Sequence, residues 1–374
     1  MLLRSDLVSM KHRFSFFIFI GVIGMAGGLG EWFMYRQGLA LLQPAWTLAI
    51  FLLAPLTFVV PNVAEKHLPR LLTKLLSIIG GFWFIFCYYS LGFLLLYFIF
   101  YGISLLFPQA INWQIVSPYF SVGSFLFILV VISLGTWNAF HPVYRKATLL
   151  TNKPLPKNIR IAFISDIHLG TILGKNFSKK LAKKINTMQP DLVILGGDII
   201  DGNLEFVIKD KSYENLKNIK SAWGTYAVYG NHDYYGGDIN KEQQLLAPTI
   251  QFLKDKSVLI EDMIQLVGLD DFIFNPRNKV PIQDNKFLNI LIDHEPWRIH
   301  EAAAAGYDLY LAGHTHAGQF FPHRMITKKI YDLDYGSKMF GNMLTIVSNG
   351  YGFWGIPVRI GPAPEIVIIE IKNH

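Results

Sequence analysis

IRIAFISDIHLG, residues 159–170, is an apolar run rich in β-branched residues that stops at Asp166 and His168. Such a run reads as a buried strand, because β-branched side chains pack well on a pleated surface covered from both sides. What ends it is chemical, a carboxylate and an imidazole one residue apart. The same design recurs downstream. AKKINTMQPDLVILGGDIIDG (182–202) gives a helix, then a strand stopping at Gly196-Gly197-Asp198. GTYAVYGNHD (224–233) gives a strand, a glycine, then Asn231, His232 and Asp233. FLNILIDHEPW (287–297) puts His294 just past a fourth strand, and YDLYLAGHTHAGQF (307–320) puts His314 and His316 beyond Gly313. MLTIVSNGYG (343–352) and PEIVIIEIK (364–372) add two more strands.

Ligands of open α/β sheets bind outside the carboxyl ends of the strands. Five of the 11 histidines lie at such ends. A single histidine after a strand is an ordinary loop residue, and Asn-His-Asp alone is turn composition. Five strand ends carrying ligand-type residues, mostly beside glycine, make a site. Aspartate oxygen and neutral imidazole suit divalent manganese, zinc or iron, and a chain with one cysteine lacks the donors of a structural zinc site. Seven candidate ligands (Asp166, His168, Asp198, Asn231, His294, His314 and His316) are too many for one ion and suit two. A carboxylate shared between two ions holds such a site, and the ion pair clamps a phosphoryl oxygen and activates a water for in-line attack on phosphorus. No G-x-x-x-x-G-K-[ST] loop offers a different phosphate chemistry.

Composition divides the chain. Hydrophobic residues make up 52% and charged residues 16%, against roughly 25% charged in a soluble protein. The deficit is local, since Leu75 to Tyr144 contains no Asp, Glu, Lys or Arg. The net charge of +7 belongs mostly to the apolar half, and no basic run with interleaved aromatics points to nucleic acid. Cys87 stands alone, so no intramolecular disulfide forms.

Four apolar stretches are long enough to cross a bilayer: Phe14 to Trp32, Trp46 to Pro61, Leu75 to Leu106 and Tyr119 to Phe140. The third is too long for an upright span. Lysine and arginine cluster at the N-terminus (Arg4, Lys11, Arg13), in the second loop (Lys66, Arg70, Lys74) and after the fourth span (Arg145, Lys146, Lys153). That alternation places both termini and the catalytic half in the cytosol. Pro142, Pro154 and Pro156 argue for a linker over 141–160. The expected organisation is a transmembrane helical domain, 1–146, followed by a phosphoesterase domain, 147–374.

The ordered motifs SDIHLG, GGDIID, YGNHDY, IDHEPW and AGHTHAG resemble those of the calcineurin-like metallophosphoesterase superfamily over about residues 159–371. The resemblance implies an α/β domain of two packed β-sheets flanked by helices, with two divalent metal ions at one rim. Manganese is expected, with iron, zinc and magnesium left open. Asp166, His168 and His316 would bind one ion, and Asn231, His294 and His314 the other, with Asp198 bridging. His232 would be the non-ligand histidine that stabilises developing charge or protonates the leaving oxygen. Asp233 would orient His232 or else cap a turn, while Asp201 is expected to be a solvated loop residue.

The segment SNGYGFWGIPVRIGPAPEIVIIEI also looks like the membrane-associated bacterial branch of that superfamily. Four spans with a phosphoesterase domain resemble the multi-spanning UDP-2,3-diacylglucosamine pyrophosphatases of lipid A synthesis. This implies release of UMP and diacylglucosamine 1-phosphate at the inner leaflet of a bacterial inner membrane, from a domain facing the cytoplasm. The expected partners are a lipid-linked diphosphate and inner-leaflet lipids, with no nucleic acid and no obligate protein partner. A phosphodiesterase or phosphatase acting on another lipid-linked or nucleotide substrate is the alternative, and a non-catalytic membrane sensor a third. Lys279, Arg298, Lys328, Lys329, Lys338 and Arg359 are candidates for anionic groups or plain solubilising charge. The apolar residues of 320–342 are either an acyl-chain groove or core.

Overall fold

In the computed structural model, which describes residues 20–236, 238–276 and 279–373, the chain divides into two compact units between Thr136 and Trp137, with Gly355–Val358 grouping with the first. The first unit opens in helix α1, 20–35. Helices α2 (Leu48–Leu53) and α3 (Pro55–Ala64) are separated at Ala54, where Pro55 has no N–H to continue the ladder. Helices α4 (Arg70–Leu106) and α5 (Trp113–Ala139) complete the unit's long elements. Three stretches among the described residues are long and apolar enough to cross a membrane: Ala45–Ala64, Arg70–Leu106 and Trp113–Ala139. This is one fewer than the expected four. The expected first span, 14–32, lies partly outside the described residues, and its described part is helical. At 37 residues, α4 is about 55 Å long, well beyond a hydrocarbon core of roughly 30 Å. Polar side chains tie this unit's interior together, as in Tyr35 Oη to Ser90 Oγ at 2.8 Å and Ser121 Oγ to the Met34 carbonyl at 2.6 Å.

Among its described residues the second unit has twelve strands in two six-stranded sheets. Strands β1 (Val143–Thr151), β2 (Ile159–Ile164), β3 (Leu192–Gly196), β4 (Thr225–Val228) and β5 (Ile250–Phe252) belong to the first. Its order, β1-β12-β2-β3-β4-β5, is completed by the last strand, β12 (Glu365–Asn373). The second sheet runs β10-β11-β9-β8-β7-β6, from β6 (Lys256–Ile260), β7 (Ile264–Gly268), β8 (Leu288–Ile292), β9 (Leu309–Ala312), β10 (Gly336–Phe340) and β11 (Met343–Val347). β2 to β5 are parallel in the first sheet, and β7, β8, β9 and β11 in the second. Ile161, Phe163 and Ile194 of one sheet pack with Leu266, Ile290, Leu311 and Ile346 of the other in a single buried cluster. Helix α6 (Lys175–Met188) covers the outer face of the first sheet through Leu181 and Ile185, and α7 (Leu204–Asp210) and α8 (Ser212–Leu216) extend that layer. Helices α9 (Asn231–Tyr235) and α10 (Ile239–Leu246) follow β4, and α11 (Ile299–Ala304) packs on the second sheet through Ile299 and Ala302. The short α12 (Arg324–Ile330) buries none of its residues.

The expected domain boundary at residue 147 falls inside β1, which pairs in parallel with β12 from Val143 to Thr151. The prolines rightly exclude a helix from 141–160, yet nine of those residues are sheet edge. Arg145 makes a two-pronged pair with the buried Glu365 of β12, at 2.9 and 3.0 Å.

Candidate metal centre

Five of the seven candidate ligands leave their strands in tight bends. Asp166 (φ 53°), His168 (φ 51°), Asp198 (φ 51°), His314 (φ 68°) and His316 (φ 47°) all occupy the left-handed region. Outside glycine that conformation costs of order 1–2 kcal/mol per residue, so the surrounding structure must enforce it. The bends are laced together: Asp166 N donates to the Gly197 carbonyl and His168 N to the Asp198 carbonyl, each at 3.0 Å. His314 N donates to both oxygens of Asp166, at 3.1 and 3.2 Å. Gly230 lets β4 pass over the centre, since a Cβ there would lie 2.6 Å from His294 Nε2 and collide with Asp198 Oδ1.

All seven candidates are gathered at one rim of the second unit. His168 Nε2 lies 3.0 Å from His316 Nε2, which lies 3.4 Å from Asp166 Oδ1. His294 Nε2 lies 3.3 Å from Asp198 Oδ2, and His314 Nδ1 lies 3.0 Å from Asn231 Oδ1. Asp198 Oδ1 accepts the His232 N–H at 2.8 Å. Its Oδ2 is left between His294 and His168, the latter at 3.7 Å. These donors suit divalent ions. Metal–ligand bonds of about 2.0–2.2 Å place neighbouring donor atoms of a tetrahedron roughly 3.3–3.6 Å apart, and the observed separations bracket that value. His294 Nε2 is buried with no hydrogen-bond partner among the described residues, a costly state unless an ion takes the lone pair.

Electrostatics split the histidines: burial would lower His294, but Asp198 and Asp166 raise it well above its ordinary value, whereas burial keeps His168 and His316 neutral. Burial lowers His168 to about 4 and holds His316 well below its ordinary value. Burial would raise Asp198, but the facing His294 and His232 hold it well below the usual carboxylate range. The outer contacts orient the rings: His294 Nδ1 faces the Gly196 carbonyl at 2.8 Å, and His314 Nε2 faces Glu295 Oε1 at 3.6 Å. The buried Arg359 reaches His316 Nδ1 at 2.9 Å and donates to the Asn349 and Gly352 carbonyls.

Asp201, not Asp233, serves His232. His232 Nδ1 lies 2.8 Å from Asp201 Oδ1, so the expected solvated loop residue is the orienting carboxylate. The two oxygens of Asp233 instead accept the backbone N–H groups of Gly230 and Ile200, each at 2.8 Å. It is therefore a buried cap for α9, because a carboxylate three residues into a helix reaches back to the preceding turn. Burial would lower His232, but Asp198 and Asp201 outweigh it and raise the imidazole to about 9. Nothing in the sequence separates Asp201 from other loop acids. Its role depends on the β3 and β4 bends lying side by side.

Two other candidates are internal. Arg298 is buried in a two-pronged pair with Asp293, at 2.7 and 2.9 Å. Arg359 lies beneath the ligands, so neither offers a surface to an anion. Around the centre the surface is aromatic. Tyr235 and Trp354 have rings 5.4 and 6.2 Å from that of His232, while Tyr331 lies 6.3 Å from His314 and 4.5 Å from Trp297. Of the apolar residues in 320–342, Phe321, Met325, Ile326, Ile330 and Met339 are exposed.

Residues 159–318 match the calcineurin-like phosphoesterase family. An uncharacterized metallophosphoesterase of Campylobacter jejuni is 35% identical over 237 residues, covering 59% of this chain and 60% of that protein. One from Helicobacter pylori strain J99 is 31% identical over 273 residues, covering 68% of this chain and 71% of the relative. A transmembrane protein with metallophosphoesterase domain from Danio rerio is 30% identical over 274 residues, covering 66% and 62% of the two chains. The matches thus span about three fifths of the Campylobacter and Danio proteins' own lengths.

Proposed function

Since the chain belongs to the calcineurin-like phosphoesterase family, whose members are metal-dependent phosphoester hydrolases, we propose that it hydrolyses a phosphoester or diphosphate carried by a membrane lipid. The observation that carries this reading is a buried carboxylate, Asp198, set between two histidine groups at a rim lined with exposed aromatic residues, in a chain with three candidate spans among its described residues. Asp166, His168 and His316 would hold one divalent ion and Asn231, His294 and His314 the other, with Asp198 placed to serve both. Such ions, manganese first among them, supply a clamp on the phosphoryl oxygens and a water acidic enough to attack. Asn231 contributes a neutral oxygen, which adds a donor without further negative charge. His232, held through Nδ1 by Asp201, keeps Nε2–H for the leaving oxygen and donates its proton there.

The specific substrate we infer is UDP-2,3-diacylglucosamine, cleaved at its diphosphate to UMP and diacylglucosamine 1-phosphate at the cytoplasmic leaflet of a bacterial inner membrane. Support comes from the tether and from the rim, where Trp297 and Tyr331 offer apolar contact and Tyr235 and Trp354 offer faces to a base. The purified full chain with manganese should release UMP from this lipid, and no UMP would remove the assignment. The same aromatic faces favour a second reading, a phosphodiesterase of soluble nucleotides. Turnover of small chromogenic diesters without cleavage of any lipid-linked diphosphate would establish it instead.

A further inference from the structure

Helix α12 is built backwards for a globular domain. Its inner side is polar: Thr327 Oγ1 and Arg324 Nε donate to the buried Asp334, at 3.0 and 3.3 Å. Asp334 in turn accepts, through its carbonyl, from Thr315, the residue between His314 and His316. The opposite side is apolar and open, with Met325 62%, Ile326 55% and Ile330 50% exposed. At 100° per residue, 325, 326, 329 and 330 share that outward arc. Lys329 therefore stands within it, and Lys328 flanks it; both lysines are exposed. The helix ends at Tyr331, which packs on Trp297, itself 43% exposed, so the apolar surface runs on to the metal rim.

We propose that α12 is an interfacial element that lies in the headgroup layer of a bilayer containing anionic lipids. Met325, Ile326 and Ile330 reach the acyl boundary, about 5–10 Å deep for such helices. Lys328 and Lys329 meet lipid phosphates, their alkyl stems lying along the apolar face while the charges stay in the polar layer. Lysines beside an apolar arc suit a charged lipid surface. A protein partner would need to meet both charges with acidic groups. The candidate spans of the same chain would tether it to a membrane, so the attraction need not be strong. Because Asp334 links α12 to the loop between His314 and His316, the docked helix borders the metal centre. The inference rests on the membrane tether and is independent of which phosphoester is cleaved.

The test uses the full chain in vesicles, with Cys87→Ser and a fluorophore on Ile326→Cys, or on Met325→Cys as an independent position. Lys220→Cys, at an exposed site on another surface, is the control. In vesicles containing phosphatidylglycerol, doxyl-labelled lipid should quench the Ile326 label about threefold more than the control, as expected for a probe at the acyl boundary. Aqueous iodide should show the reverse order. K328E/K329E should reduce the lipid quenching in these vesicles and leave it unchanged in pure phosphatidylcholine. Equal quenching at 326 and 220, by both quenchers, overturns the proposal. Unchanged quenching in K328E/K329E overturns the part assigned to the lysines. Lipid quenching at 326 without cleavage of any lipid-linked phosphoester would defeat the substrate reading alone.

Discussion

His232 has two acids nearby, and their geometry assigns them different work. Asp201 bonds the ring at 2.8 Å, while Asp233 bonds backbone N–H groups. His232→Ala should lower kcat by about 10²–10⁴ with metal content preserved, as the proposed acid role of the ring requires. Asp201→Asn should cost about 10–100-fold and move the pH profile. The raised imidazole, about 9, keeps the acid form of His232 up to that pH, so activity falls as pH rises through it. Removing the Asp201 charge lowers that pKa, and the basic limb of kcat moves to lower pH by about one unit. An unmoved limb would separate Asp201 from the proton transfer. Asp233→Ala should behave differently, unpairing two buried N–H groups and destabilising the fold by roughly 1–3 kcal/mol. A lowered Tm with an unshifted pH profile is the expected signature. In the sequence the pair Asn231-His232 was legible as chemistry, but the choice between Asp201 and Asp233 was not, because it depends on which loop faces the ring.

At the scale of elements, the parallel strands that deliver the candidate ligands were the readable part. Apolar runs such as LVILG and LNILI are covered on both faces, so their composition announces them. Strand β1 carries no such signal. VYRKATLLT is a sheet-edge strand with three of its first four residues exposed, and its partner β12 lies more than 200 residues away. Arg145, which as a flanking charge reads as an orientation signal, holds this junction through Glu365. Arg145→Met should leave the buried Glu365 charge with only the Tyr335 hydroxyl as a donor, a loss of about 3 kcal/mol. Thermal unfolding of the purified chain checks it, with the added Glu365→Gln expected to recover part of the loss. Strands β6 and β10 are hidden in the sequence for the same reason as β1: largely exposed strands alternate too weakly to stand out.

At the scale of the whole molecule, metal occupancy and folding are linked. Asp166 is buried and raised to about 6 by that burial, against neighbouring positive charge and beside the carboxylate of Asp198. Ions that bind this arrangement stabilise the fold, by about 2.7 kcal/mol at a hundredfold excess over Kd. Chelation should therefore abolish turnover and lower Tm by roughly 5–10 °C, both recovered on adding manganese. An unchanged Tm would mean that the centre is held without ions. The sequence by itself determined the division into an apolar and a charged half, the parallel strands that deliver the candidate ligands and the residues grouped at the metal rim. It could do so because hydrophobic runs and the residue types after them are local properties. Only the tertiary structure decided that a polar edge strand joins the last strand, that Asp201 serves His232, that Arg298 and Arg359 lie inside, and that α12 turns its apolar side outward. Each of these depends on which distant segment, or none, comes to lie against a side chain, and no pattern of neighbours along the chain encodes that.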